Sequence, residues 1–329
     1  MTKIKVFVTR RIPQPGLAIL QQDCDVQFWD SDEAIPQEEL LKKVQGVGAL
    51  LCMLTDKIDD EVLEKAGENL RIVSTMSVGY EHIDLEACKR RGIAVTNTPN
   101  VSTDSVSELT VSLLLLVARR LYEGIRAVHG GEWGKWKPMW LCGVELTNKT
   151  VGILGLGRIG YGVAKRLKPF GIDRIIYHDV CRVSYADDIG ASYVDFPTLL
   201  SDSDIICICC NLTPQTKHKF NTKAFEKMKN SAVLVNSGRG GVIQHDDLYE
   251  ALRTNTIAAA GLDVTEPEPL PKDHPLLTLN NCIVLPHMGS NTWESRNSMS
   301  EIAATNIISV LNGTNAVGEV IPSRNIYGL

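Results

Sequence analysis

The chain contains no apolar run long enough to cross a bilayer and no long run of basic residues. The first absence excludes a transmembrane helix, which needs about 20 consecutive apolar residues. The second, together with a net charge of −5, argues against nucleic acid as the main partner. No signal peptide precedes the strand-like segment at residues 3–9, so we expect a soluble, cytoplasmic protein.

The cysteines lack the spacing of a zinc site or a disulfide framework. There are nine, an odd number, and several lie inside apolar runs such as residues 205–210. Cys207 and Cys210 form a C-x-x-C pair, but no second pair follows at zinc spacing. We therefore expect reduced cysteines in the core, with neither disulfides nor a metal site.

A glycine-rich turn at residues 150–160 organises the chain, with the sequence Thr-Val-Gly-Ile-Leu-Gly-Leu-Gly-Arg-Ile-Gly. An apolar run leads into the turn, and a segment with helical periodicity follows it. Gly155 permits a tight turn, Gly157 lets the backbone approach a pyrophosphate, and Gly160 lets helix and strand pack closely. Arg158 and Ile159 begin the helix, whose free N–H groups favour an anion. The alternative is a glycine turn that only packs tightly.

An acid follows the glycine turn at the distance expected for a dinucleotide site. Residues 174–179 read as a second strand, and Asp179 stands 19 residues after Gly160. A carboxylate there accepts hydrogen bonds from ribose hydroxyls and repels a 2′-phosphate, which favours NAD(H) over NADP(H). Arg182, three residues further on, is positioned to meet a phosphate instead, so NADP(H) remains the alternative.

Short apolar runs alternate with helical segments along most of the chain, which predicts parallel sheets flanked by helices. In the first hundred residues the predicted strands are 5–9, 25–30, 49–53, 71–76 and 94–98, and the predicted helices are 36–44, 59–66 and 84–91. In the second part the predicted strands are 151–155, 174–179, 204–211, 232–237, 259–264 and 282–285.

Residues 102–128 have the pattern of one long helix, capped by Ser102 or Thr103, and its leucine-rich middle suits burial between domains or subunits. We place the domain crossing there. The following loop holds three of the five tryptophans within residues 133–140. It either folds over its own core or forms a subunit interface, and Trp140 is a candidate to overhang a substrate.

Three polar side chains follow predicted strands in the second part of the chain. Arg239 lies between glycines, Glu268 lies in an acid-proline run, and His287 comes directly after an apolar strand and a proline. Each alone has an ordinary explanation, respectively a solvated arginine, a stiff surface loop and a structural histidine. Together, at the carboxyl ends of strands in a nucleotide-binding sheet, they suit reduction of a 2-oxo acid.

With these motifs in order, the chain resembles the D-isomer-specific 2-hydroxyacid dehydrogenases, and in particular their glyoxylate reductase/hydroxypyruvate reductase branch. The resemblance covers nearly the whole chain. It rests on Ser-Thr-Met-Ser-Val-Gly at 74–79, the 155–160 glycine turn, Asn-Ser-Gly-Arg-Gly at 236–240, Gly-Leu-Asp-Val-Thr-Glu-Pro-Glu-Pro-Leu-Pro at 261–271 and Asn-Cys-Ile-Val-Leu-Pro-His-Met-Gly-Ser at 281–290.

The resemblance implies a role for each matching position. Arg239, Glu268 and His287 match the catalytic arginine, glutamate and histidine; His287 would give a proton to the substrate oxygen while Glu268 keeps the imidazole charged and oriented. Backbone N–H groups of Val78 and Gly79 would bind the substrate carboxylate. The remaining matches are Asn211, Ser237, Asp263 and Gly289 toward the nicotinamide and ribose, and Ser290, at the end of the last motif, is a further candidate to contact the substrate.

The resemblance further implies two doubly wound α/β domains with parallel sheets. A discontinuous, flavodoxin-like substrate-binding domain would comprise residues 1–101 and 292–329, and a Rossmann-type dinucleotide-binding domain would comprise 102–291. Family members usually dimerise through the latter, so we expect a homodimer. Two alternatives stay open: another enzyme of the family such as a phosphoglycerate dehydrogenase, although no regulatory domain follows residue 329, or a corepressor-like protein that senses a dinucleotide.

Overall fold

The structure is a computed structural model, and it describes residues 3–322. The chain divides into two compact units: a first unit of residues up to Ser102 together with those from Asn291 onward, and a second unit of Thr103–Ser290. The last seven residues of the expected 292–329 segment lie outside the described residues. Within the described part, no helix combines the length and apolarity needed to span a membrane.

The strands are short and largely buried. In chain order they are β1 (Ile4–Val8), β2 (Cys24–Phe28), β3 (Ala49–Cys52), β4 (Ile72–Thr75), β5 (Ala94–Thr96), β6 (Thr150–Leu154), β7 (Arg174–His178), β8 (Ala191–Tyr193), β9 (Ile205–Ile208), β10 (Val233–Asn236), β11 (Ala259–Leu262), β12 (Cys282–Val284) and β13 (Glu319–Ile321).

The α-helices connect these strands. In chain order they are α1 (Gln14–Asp23), α2 (Gln37–Lys43), α3 (Asp60–Ala66), α4 (Leu85–Arg90), α5 (Thr103–Ala118), α6 (Leu121–His129), α7 (Arg158–Leu167), α8 (Phe196–Asp202), α9 (Thr222–Phe225), α10 (His245–Arg253) and α11 (Trp293–Leu311). Several begin with a side-chain cap, for example Asp59 accepting from the N–H of Val62 before α3.

The sheet of the first unit has the strand order β13-β5-β4-β3-β1-β2. Its pairs are parallel except that β13 runs antiparallel to β5. The order β2-β1-β3-β4-β5 is the flavodoxin-like one, which confirms the expected fold of this unit. Helix α11 returns to this unit and packs against α1, with Met299, Ala303 and Ile307 buried.

The sheet of the second unit is parallel throughout, in the order β12-β11-β10-β9-β6-β7-β8. From β6 the chain winds outward through β7 and β8, then returns to β9 and winds the other way. This is the Rossmann-type order, again as expected, and its switch point lies between β6 and β9. Ligands of such sheets bind beyond the carboxyl ends of the strands at that point.

The structure differs from the sequence expectations in four places. The helix expected over residues 102–128 is broken at Arg120, which has a left-handed conformation with φ 53° and pairs with Glu123. Strands β8 and β13, and helix α1, were not expected. Strands β8 (Ala-Ser-Tyr) and β13 (Glu-Val-Ile) have three residues each and do not lie in an apolar run.

Gly16 allows α1 and α11 to approach closely, and this contact generates a test of the first unit's packing. A Cβ added at Gly16 would lie 2.6 Å from the carbonyl carbon of Ser300. We expect Gly16→Ala to lower the free energy of unfolding by about 1–3 kcal/mol, because overpacking outweighs the gain in helix propensity.

Gly124→Ala is the matched control, since Gly124 is also helical but its added Cβ meets only Leu141 Cδ1, at 3.8 Å. That variant should be as stable as the wild type or up to about 1 kcal/mol more stable. Thermal and urea unfolding measure both variants. A Gly16→Ala protein that unfolds no earlier than the wild type would contradict the packing argument.

Candidate active site

The glycine turn after β6 forms one end of the candidate site. Gly155 has φ 88°, and an added Cβ would lie 2.8 Å from Cys210 Cα, so this turn needs glycine for both conformation and space. A Cβ at Gly160 would lie 2.9 Å from Ile153 Cγ2, which keeps α7 close to the strand. A Cβ at Gly157 meets no atom within 4 Å. The protein's own packing therefore does not require glycine there, and the open space suits a phosphate.

Helix α7 starts directly after Gly157, with Arg158 and Ile159 in its first turn. Its first N–H groups have no partner within a helix, and they favour a negatively charged group. The turn, the open space and the helix terminus together fit the pyrophosphate of a dinucleotide.

Asp179 follows β7 and is fixed beside this turn. Its Oδ2 accepts a hydrogen bond from the Leu156 N–H at 2.8 Å, and its Oδ1 accepts one from the Val180 N–H at 2.7 Å. A carboxylate has further acceptor positions, so it can still receive ribose hydroxyls. The Arg182 guanidinium lies over the Tyr193 ring, 5.4 Å from its centroid.

His287 follows β12 and is held by Asp263, which follows β11. His287 has a left-handed backbone with φ 54°, and its N–H donates to the Asp263 carbonyl at 2.9 Å. The Asp263 carboxylate accepts from the next two N–H groups, Met288 at 2.7 Å and Gly289 at 2.9 Å. Asp263 is 1% exposed. Burial raises its pKa above the ordinary value, although these N–H groups and the charge of His287 oppose the shift.

The His287 imidazole is hydrogen-bonded through Nδ1 to Oε1 of Glu268. This leaves Nε2 as the nitrogen that can exchange a proton with a substrate. The two side chains are 28% and 35% exposed, so the pair lies at the surface of the second unit's sheet edge. A histidine oriented by a carboxylate is a common arrangement for acid-base catalysis.

Glu268 is kept ionised by its neighbours. Burial raises the pKa of Glu268, but the hydrogen bond and charge of His287, the Thr265 N–H and the charge of Arg239 together lower it below its ordinary value. Gly240, next to Arg239, packs against the backbone of Thr265, in the loop that carries Glu268. One Arg239 nitrogen also donates to the Gly238 carbonyl at 2.9 Å. The structure thus brings Arg239, Glu268 and His287 together at the carboxyl ends of β10, β11 and β12.

The other expected cofactor residues lie at the same edge of the sheet. Ser237 follows β10, is buried, and its hydroxyl accepts from Thr110 Oγ1 at 2.6 Å. Asn211 follows β9 and is exposed, with its carbonyl accepting from Thr216 Oγ1 at 2.8 Å. Gly289 is buried and Ser290 is partly exposed, both directly after the His287 turn.

Val78 and Gly79 lie in the first unit, in the loop after β4. Their carbonyls are held by neighbouring side chains: Asn97 Nδ2 donates to the Val78 carbonyl at 2.7 Å, and Ser77 Oγ donates to the Gly79 carbonyl at 2.6 Å. Val78 is 40% exposed. These bonds fix the loop through its carbonyl groups.

Trp140 is not brought to the three catalytic candidates within the second unit. Cys142 and Gly143, just after it, line a cavity together with Val233 and Ala259, the first residues of β10 and β11. Trp140 therefore lies near the amino ends of these strands, whereas His287 follows a carboxyl end. Its ring is covered by Lys137, whose Nζ is 5.5 Å from the ring centroid.

Two contributions to the site were not predicted. Thr110, which holds Ser237, has one signal in the sequence: it is a polar residue in a helix that is otherwise rich in leucine and valine. The hydrogen bonds from the backbone after His287 to Asp263 have no signal in the sequence, because they join residues 25 and 26 positions apart. Asp263 was expected to line the cofactor, and both of its carboxylate oxygens are used inside the protein.

Comparison with known proteins gives a consistent result. The family model for the D-isomer specific 2-hydroxyacid dehydrogenase, NAD binding domain, matches residues 111–289. A Homo sapiens glyoxylate reductase/hydroxypyruvate reductase is 53% identical over 313 residues, covering 94% of this chain and 95% of the human protein. A glyoxylate reductase of Thermofilum pendens is 46% identical over 317 residues, covering 95% of this chain and 93% of the archaeal one.

Solved structures resemble the chain over nearly its full length. A protein from Thermus thermophilus superimposes with a TM-score of 0.91 and 38% identity, covering 97% of this chain and 100% of the other. A glyoxylate reductase from Paecilomyes thermophila superimposes with a TM-score of 0.86 and 29% identity, covering 98% of this chain and 99% of the other.

The pair formed by Glu268 and His287 predicts a pH dependence of stability. Because the pKa of Glu268 is lower in the folded protein than its ordinary value, its ionisation stabilises the fold above the unfolded pKa, about 4.3. This contribution is lost as the pH falls through the folded value. We therefore expect the stability difference between wild type and Glu268→Gln to be present near pH 6 and to shrink below about pH 4.

Urea unfolding at several pH values measures this difference. Glu226→Gln is the control, because Glu226 is an exposed glutamate of the same unit. A difference for Glu268→Gln that stays constant from neutral to acid pH would show that the ionised form of Glu268 is not favoured by the fold.

Proposed function

The chain belongs to the D-isomer specific 2-hydroxyacid dehydrogenase family, and we propose that it reduces glyoxylate and hydroxypyruvate to glycolate and D-glycerate with a reduced nicotinamide dinucleotide. The observation that carries this proposal is the His287–Glu268 pair beside Arg239, at the carboxyl edge of a Rossmann-type sheet. The substrate class is taken from the names of the human and archaeal relatives.

The second unit is the proposed dinucleotide-binding domain and the first the proposed substrate-binding domain, in which the N–H groups of Val78 and Gly79 would bind the substrate carboxylate. Gly155, Gly157 and the start of α7 fit the pyrophosphate, and Asp179 fits the ribose. The reduced nicotinamide, when bound, would supply a hydride to the keto carbon.

The protein's own groups would handle the proton and the charge. His287 would give the proton on Nε2 to the oxygen that develops negative charge, and Glu268 at Nδ1 would stabilise the charged imidazole before transfer. Arg239 would hold the substrate through its fork of donors and stabilise the same oxygen. Asp263 would keep the His287 backbone in the orientation that directs Nε2 outward.

Replacing His287 tests the proposal. His287→Gln retains a similar size but removes the proton donor, so we expect kcat to fall about 10²–10⁴-fold. The affinity for the reduced dinucleotide, followed by fluorescence, should change little. The assay is dinucleotide oxidation with a panel of glyoxylate, hydroxypyruvate, pyruvate and 3-phosphohydroxypyruvate. Undiminished turnover would remove His287 from this role, and a wild type inactive on the whole panel would remove the proposed activity.

We propose that NADH is preferred to NADPH, because two backbone bonds fix the Asp179 carboxylate beside the glycine turn, where the ribose would lie. Its charge would repel a 2′-phosphate. Asp179→Asn keeps the shape and removes the charge, and we expect the ratio of kcat/KM for NADH over NADPH to fall at least about tenfold. Asp188→Asn, a change at an exposed acid nearby, is the control and should leave the ratio unchanged. A wild type that prefers NADPH would overturn the assignment.

A homodimer is also proposed, with a second copy covering α6. This helix exposes an apolar face in which Leu121, Tyr122, Ile125 and Val128 are 47%, 46%, 53% and 53% exposed. A cavity of about 540 Å³ adjoins it, and the loop beyond exposes Trp136 and Met139 by 84% and 86%. A monomer rarely leaves so large an apolar patch uncovered. Sedimentation should give a dimer that Ile125→Glu dissociates; a wild type that sediments as a monomer would contradict this.

A further inference from the structure

The short loop Thr265–Glu268 carries the glutamate that orients His287, and the protein grips this loop at several points. A Cβ added at Gly240 would lie 2.6 Å from Thr265 Cα, so the loop packs directly against the backbone next to Arg239. Thr265 Oγ1 donates to the Pro267 carbonyl at 2.8 Å, and the Thr265 N–H donates to Glu268 Oε2 at 3.4 Å. Two histidines outside the candidate active site, His245 and His218, form further hydrogen bonds to this loop.

His245, the first residue of α10, makes one hydrogen bond with each ring nitrogen. Its Nδ1 lies 3.2 Å from the Ile243 carbonyl, and its Nε2 accepts the Glu266 N–H at 3.4 Å. A carbonyl requires a donor at Nδ1, and an N–H requires an acceptor at Nε2. The two bonds together therefore fix a neutral imidazole with its proton on Nδ1. His245 is 4% exposed, so water cannot replace either of these hydrogen-bond partners.

His218 binds the side chain of Glu266, the residue whose N–H His245 accepts. Its Nε2 lies 2.9 Å from Glu266 Oε2, and its own N–H donates to the Gly241 carbonyl at 2.8 Å. Glu266 is thus held by its backbone through His245 and by its carboxylate through His218. It stands two residues before Glu268, so a shift at Glu266 would be passed directly to the catalytic pair.

We propose that His245 is a positioning residue, whose neutral imidazole accepts the Glu266 N–H and thereby keeps Glu268 aligned with His287. Protonation of His245 would place an N–H against the Glu266 N–H, which breaks this hydrogen bond and releases the loop. Turnover would then depend on the protonation state of His245, which does not itself contact the substrate. The proposal rests on the proposed function, because alignment of Glu268 matters for that chemistry.

Burial favours the neutral form of His245, and several neighbouring groups modify that preference. Burial lowers the pKa of His245, the bond to the Ile243 carbonyl opposes this shift, and the neighbouring His274 adds to it. The acids that face it, Glu266 and Asp246, raise the pKa. His274 contacts His245 edge to face, with ring centroids 6.2 Å apart. His218 acts one step away, through Glu266.

Substituting His245 by asparagine or by glutamine tests its two hydrogen bonds one at a time. Asparagine is long enough to replace Nδ1 and bond the Ile243 carbonyl, but it is too short to reach the Glu266 N–H. Glutamine places an amide oxygen near the position of Nε2 and can accept that N–H at any pH. We expect His245→Asn to lower kcat on the order of tenfold, with little change in KM for the reduced dinucleotide. We expect His245→Gln to retain kcat within about threefold and to extend the acid limb of its pH profile to lower pH.

His274→Gln is the matched control, because His274 touches the ring of His245 but does not bond the loop, and it should leave kcat unchanged. If His245→Asn does not fold, the proposal is tested by comparing the pH profiles of kcat of His245→Gln and wild type. Equal kcat in wild type and His245→Asn, equal impairment of the two variants, or an unchanged acid limb in His245→Gln would overturn the proposal.

A second measurement does not need turnover. Amide hydrogen exchange at Glu266 should be faster in His245→Asn than in wild type, and close to wild type in His245→Gln. If the wild type reduces no 2-oxo acid, the proposed function fails while this measurement still reports on the hydrogen bond. If the wild type is active and exchange at Glu266 is the same in all variants, the positioning role fails and the proposed function stands.

Discussion

The hydrogen bonds from the Met288 and Gly289 N–H groups to the Asp263 carboxylate are the constraint on which the site depends. They hold His287 in a left-handed conformation, φ 54°, that costs a residue with a side chain about 1–2 kcal/mol. Without a fixed acceptor, the backbone after β12 would relax toward an ordinary conformation and turn the imidazole away from Glu268. The catalytic geometry is therefore set by a buried acid that does not itself face the substrate.

Backbone contacts also position the catalytic candidates that follow the neighbouring strands. Each catalytic candidate lies in the segment that follows a strand's carboxyl end, and these segments are joined through backbone contacts: Gly240 against Thr265, and His287 N–H to the Asp263 carbonyl. Contacts between the backbone segments that carry them therefore hold Arg239, Glu268 and His287 near one another.

The sequence was sufficient to predict the features that depend on local pattern: the alternation of strands and helices, the glycine turn at residues 155–160, and polar residues such as Arg239 and His287 at strand ends. The break of the long helix at Arg120 was missed, because a left-handed residue paired with Glu123 leaves the apolar periodicity intact. The parts played by Asp263, Thr110 and His245 were also missed. Each depends on a partner that is brought near only by the folded sheet, and a lone acid, threonine or histidine gives no sign of it.

Two carboxylates lie beside the His287 turn, and their surroundings give them different tasks. Asp263 is almost completely buried, which raises its pKa, and its oxygens are used by backbone N–H groups. Glu268 is partly exposed and near the charges of His287 and Arg239, which lower its pKa despite the burial that opposes them. Only Glu268 contacts the imidazole, so only it can balance the charge that a proton brings to His287. Exchanging the two environments would leave a proton donor that is either misdirected or uncharged, which is why the rigid acid and the ionised acid must be separate residues.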